Sequence, residues 1–115
     1  MPVHRKFAVS ASAHKALAAV CEVNAWSNSK AAGDSINLDS LKAIEEVGLL
    51  REPRTPKARG ETGRRRLAEP CVSLHFDNIP DTVFTAFCKA AKRMHTTKAR
   101  LARECLRLWI EERLA

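Results

Sequence analysis

The sequence predicts a mainly α-helical protein carrying a short β-ribbon. Aromatic residues make up 5% of the 115-residue chain, Tyr is absent, and the apolar content comes largely from Ala, Leu and Val, a mixture that favours helix over sheet. Through the last third of the chain, apolar residues recur at spacings of three and four, the period of an amphipathic helix. One short run, "VSLHF" at residues 72–76, alternates with a period of two instead, as a strand with one buried face does.

Residues 1–50 read as a helical unit. Its clearest helix is "NLDSLKAIEEVG", which Gly48 is placed to end; Gly33 and Asn37 interrupt helix formation ahead of it. Residues 51–69, "REPRTPKARGETGRRRLAE", combine prolines, glycines and few apolar residues with the run Arg64-Arg65-Arg66. They predict a basic linker or a wing-like hairpin whose charges stay hydrated.

Residues 70–115 form the second unit. Val72, Leu74 and Phe76 alternate with Cys71, Ser73, His75 and Asp77, giving the strand an apolar and a polar face. Pro80 and Asp81 then open a helix, Asp81 being suited to cap it, and Val83, Phe84, Phe87, Cys88, Ala91 and Met94 make its apolar stripe. Thr96-Thr97 interrupt that helix and cap another, in which Ala102, Cys105, Leu106 and Trp109 continue the stripe and Leu101, Leu108 and Ile110 widen it. A lone strand leaves its backbone groups unpaired, and this stripe is wider than one short helix covers. Both features call for a second subunit or a second copy within the chain.

Strand, helix, turn and helix in the order "VSLHF", "IPDTVFTAFCKAAKRMH" and "TTKARLARECLRLWIEE" resemble the ribbon-helix-helix superfamily of DNA-binding proteins, the group of the Arc and MetJ repressors, over Cys71 to Arg113. The resemblance implies that two copies of the strand pair antiparallel across a two-fold axis. It further implies that the ribbon enters the major groove and that the start of the second helix rests on phosphate. Carried over, the base-contacting positions are Cys71, Ser73 and His75, and the phosphate anchors are Thr96, Thr97 and Lys98. Val72, Leu74, Phe76, Phe84, Phe87 and Trp109 become core. Ser73 and His75 offer single hydrogen bonds to bases, weaker than the paired contacts of Arg, Lys, Asn or Gln.

The second copy has two sources. A homodimer supplies it from another chain. Alternatively, "KFAVSASAHKALAAVC" laid without gaps over residues 73–88 sets Phe7 on Leu74, Val9 on Phe76, Leu17 on Phe84, Val20 on Phe87 and Cys21 on Cys88. On that reading Lys6 to Ser10 pair with Val72 to Phe76 and the chain is an intramolecular pseudo-dimer. A competing resemblance takes "LDSLKAIEEVGLL" and the arginine-rich segment after it as the recognition helix and wing of a winged-helix protein, and a plain helical packing module is a third reading. All three leave Arg64, Arg65 and Arg66 able to meet phosphate.

The net charge of +7 points to an anionic partner, nucleic acid first. Residues 1–50 are balanced at five basic and five acidic, whereas residues 51–69 carry seven against three and residues 70–115 eight against five. No apolar run approaches the ~20 residues of a membrane span, and His14 and Lys15 break the N-terminal apolar run, so a soluble, cytoplasmic protein is expected. Cys21, Cys71, Cys88 and Cys105 lack metal-site spacing, the four histidines lack catalytic partners, and no phosphate-binding glycine loop is present. The expectation is a non-enzymatic protein without metal or cofactor that binds double-stranded DNA, most simply as a repressor. The alternatives are an accessory protein of a plasmid relaxosome or partition complex, and an antitoxin-like subunit with a protein partner.

Overall fold

A computed structural model of the chain describes residues 2–49 and 69–114. The order of elements is β1 (Val3–Ser10), α1 (Ala11–Asn24), α2 (Asn28–Ser35), α3 (Leu38–Val47), β2 (Cys71–Ile79), α4 (Asp81–Arg93) and α5 (Lys98–Leu114). β1 and β2 pair antiparallel to form a two-stranded sheet, so the strand that lacked a neighbour in its own half finds one in the other half.

The register runs Arg5 opposite Phe76, Lys6 opposite His75, Phe7 opposite Leu74, Ala8 opposite Ser73, Val9 opposite Val72 and Ser10 opposite Cys71. Between Arg5 and Val3 it shifts: β1 spends only His4 where β2 spends Asp77 and Asn78, and Val3 then meets Ile79. This is a β-bulge, with Asn78 in the left-handed region at φ 59°, where Asn is tolerated better than most residues. The bulge explains why the alternation breaks after Phe76. Strict period two would turn Ile79 outward, whereas the extra residue returns it to the inner face, where it is fully buried.

The helices cover that inner face. Val9, Leu74, Phe76 and Ile79 join Leu17, Phe87, Leu101, Leu106 and Trp109 in one core drawn from both halves of the chain. Phe7 packs edge-on against Phe76, with ring centroids 5.5 Å apart. Val72 shares the inward parity but lies near the ribbon's end and stays exposed, and Phe84 is only half-buried, so the core expected at these two positions is incomplete. α1 packs on α5, and α3 on α4 and α5, so helices from the two halves interlock.

The helix ends follow local chemistry. Ser10 caps α1, its Oγ accepting from the Ala13 amide at 3.3 Å, and Asn37 caps α3 by accepting from Ser40 at 2.8 Å. Pro80, not Asp81, occupies the cap position of α4, and Asp81 contributes its charge from the first turn instead. Gly33 does not interrupt helix as its propensity predicts: α2 runs through it, and the break falls at Ile36 and Asn37.

A near two-fold correspondence relates the halves. α1 ends with Ala25 left-handed and the Trp26 amide bonded to the Cys21 carbonyl; α4 is followed by left-handed His95 and the Thr96 amide bonded to the Ala91 carbonyl. Leu17, Val20 and Cys21 are thereby matched to Phe87, Ala90 and Ala91, each set being the buried face of its helix. In the ribbon, the pairs Arg5–Phe76 and Phe7–Leu74 exchange about Lys6–His75, and Val3–Ile79 exchanges with Val9–Val72 once the bulge is allowed for. Phe7 therefore corresponds to Phe76 and Val9 to Ile79. The gapless overlay is displaced by two residues in the strand and three in the helix, slips that leave strand face and helix face unchanged.

Candidate nucleic-acid interface

The face of the ribbon turned away from the helices carries, in order, His4 opposite the Asp77–Asn78 bulge, Lys6 opposite His75, Ala8 opposite Ser73 and Ser10 opposite Cys71. All are exposed except Ser10 and Asp77, which are half-buried. Cys71, Ser73 and His75 thus occupy the outward side that the sequence assigns to them. Lys6 is the residue that reading omitted, although the overlay sets it on Ser73, an outward position.

At the bulged end, His4 Nδ1 lies 3.3 Å from Asp77 Oδ1 and 3.4 Å from the Asn78 amide nitrogen. That nitrogen accepts from the Asn78 amide, and the Asp77 carboxylate stands beside the same ring, so this side chain of β1 meets both residues of the bulge. Arg5 has the opposite parity and leaves the outer face. Its guanidinium lies over the Phe84 ring, 4.8 Å from the centroid.

The two helices that follow the turns flank the ribbon from opposite strands. Arg103 of α5 donates from Nη1 to the Ala8 carbonyl of β1 at 3.1 Å, and Gly33, at the matching position of α2, lies against the Asp77 backbone of β2. Thr97 caps α5, its Oγ1 accepting from the Arg100 amide at 3.2 Å, and Thr97 and Lys98 are both exposed. Thr96 is placed differently from the expected anchor. Its amide is committed to Ala91, and its Oγ1 is buried without a hydrogen-bond partner among the described residues. Arg64, Arg65 and Arg66 lie outside the described residues.

The exit from the basic segment is tied to the first unit. Pro70 accepts from the Ala11 amide at 2.9 Å, and Glu69 accepts from the Ser12 amide at 3.2 Å. Hydrogen bonds from the Ser12 side chain and backbone hold the Glu69 carboxyl below its ordinary range. Among the described residues, no cluster of three or more His, Cys, Asp or Glu side chains could hold a metal ion, and no helix is long and apolar enough to cross a membrane.

No protein-family model, curated protein or solved structure matches the chain.

Proposed function

We propose that the protein is a DNA-binding regulator of ribbon-helix-helix type in which one chain supplies both copies of the unit, and that it represses by occupying an operator. The observation that carries this reading is the antiparallel ribbon formed within the chain, whose outer face carries the exposed side chains of Lys6, Ala8, Ser73 and His75 and is covered by no helix among the described residues. A two-stranded ribbon fits the major groove of B-DNA, where donor and acceptor patterns distinguish the base pairs. Cys71 and His4 extend the reading row, and Thr97 and Lys98 at the start of α5 offer a partial positive charge and a cation to phosphate. Arg64, Arg65 and Arg66 add affinity through counterion release.

Titration of duplex DNA against salt tests the proposal. Binding at ~50 mM salt that weakens steeply toward ~200 mM is expected. No binding at ~50 mM, or binding insensitive to salt, overturns it.

A further inference from the structure

We infer that the ribbon reads a non-palindromic DNA site whose strongest base preference is set by Lys6; this rests on the DNA-binding reading above. When two identical chains form a ribbon, every outward side chain recurs across the two-fold axis, and the preferred duplex repeats itself in inverted orientation. Here the correspondence about the Lys6–His75 pair joins residues of different chemistry. Lys6 corresponds to His75, His4 to Ser73 and Ala8 to Asp77.

The two ends of the outer face therefore offer a duplex different groups. Toward one end stand His4, Asp77 and Asn78, a long polar cluster with both donors and acceptors. Toward the other stand Ala8, Ser73, Ser10 and Cys71, all small: one methyl, two hydroxyls and a thiol. At the centre, Lys6 is a cation with donors only, suited to the O6 and N7 acceptors of guanine, while His75 opposite it presents one ring edge of either polarity. Successive outward pairs are ~7 Å apart along the strand, close to two base-pair steps, so these differences fall on different base pairs. A palindrome satisfies one end of this ribbon and mismatches the other.

Selection of the full-length chain on duplexes with a randomised core tests the inference, followed by affinity measurements on the preferred duplex and on one with its best-defined guanine replaced. The expected consensus is asymmetric and includes a guanine. Lys6→Ala lowers the ratio of affinities for these two duplexes by about tenfold or more, the usual weight of a good side-chain contact to a base. Ser73→Ala changes that ratio by much less. Lys6 is exposed, and an unchanged thermal melt of Lys6→Ala confirms that the fold is kept. An inverted-repeat consensus, a sequence-indifferent pool, or an asymmetric consensus whose guanine preference survives Lys6→Ala overturns the inference while salt-sensitive binding still upholds the DNA reading. Absence of any duplex binding overturns both.

Discussion

Gly33 of α2 lies so close to the peptide of Asp77 in β2 that a Cβ at position 33 would overlap the Asp77 carbonyl oxygen. The obstructing atoms are backbone, held by the bulge that ends the ribbon, so neither side yields by a rotamer change. Alanine would gain about 1 kcal/mol in helix propensity, but overpacking against backbone outweighs it. Gly33→Ala is expected to destabilise the protein by up to about 2 kcal/mol net, read as a lower urea midpoint at unchanged slope. The contrast is Gly48, where a Cβ meets nothing within 4 Å among the described residues and the positive φ of 93° opposes substitution. Gly48→Ala should cost about 1–3 kcal/mol through strain alone, because φ 93° with ψ 170° is a backbone region open essentially to Gly.

Glu104 is buried on α5 with its carboxylate held by Arg107, whose Nε lies 3.3 Å from each Glu104 oxygen and whose Nη2 lies 3.0 Å from Oε1. Arg107 also reaches Glu111 at 2.7 Å, and hydrogen bonding to Glu104 leads the causes that raise its pKa. Removing the cation strips the buried carboxylate of this bidentate partner. Because Arg107 is itself about a third exposed, the full penalty of a buried pair is discounted, and Arg107→Ala should cost about 1–3 kcal/mol. Glu104→Gln in the same background should recover part of that loss, because a neutral amide is less costly to bury than a carboxylate that has lost its bidentate partner. Equal stability of the single and double variants in urea melts would contradict this account.

Element type was legible in the sequence because it rests on period. The alternation of Val72, Leu74 and Phe76 and the stripes of α4 and α5 are local patterns that tertiary contacts leave intact. Correspondence between the halves was less legible, because sliding a strand by two or a helix by three keeps the same face inward, and pattern alone does not fix such a slip. The bulge at Asp77 and Asn78 depends on packing Ile79 beneath the helices, and Gly33 depends on a strand 44 positions away in sequence. In the candidate site, Ser73 and His75 were legible from alternation, whereas Lys6 required knowing that β1 is the partner strand. Of the two adjacent threonines, Thr97 caps α5 while the turn that precedes the helix consumes the Thr96 amide, a distinction that the sequence pattern does not carry.

Buried and exposed thiols should separate sharply by reactivity. Cys105 is fully buried, and its pKa is pushed up to about 12, first by desolvation and then by the negative charge of Glu104. Burial also raises Cys21, whereas Cys71 lies exposed on the ribbon's outer face. Because the thiolate is the reactive species, a disulfide reagent at neutral pH should label Cys71 fast and Cys105 only on unfolding. The same shift makes stability fall in alkali. With the folded pKa above the unfolded value of about 9, the folded state retains a proton that the unfolded state loses, so this contribution is intact below pH 9 and declines up to about pH 12. Cys105→Ala should flatten the alkaline limb of a pH–stability profile while lowering stability at neutral pH through the cavity it leaves.

Strand pairing within the chain leads to the last prediction. A ribbon-helix-helix unit with only one strand needs a second chain, and its folded population then depends on concentration. Here β2 is paired by β1, and the buried faces of α4 and α5 are met by α1 and α3 of the same chain, so a monomer is the expected folded species. Light scattering should give the mass of a single chain, and the thermal midpoint should not move over a hundredfold dilution. Cutting the chain within residues 51–68 should leave the two pieces associated, since the ribbon and the core join residues from both sides of the cut. A dimer mass with a midpoint that falls on dilution would show instead that β2 of one chain pairs with a strand of another.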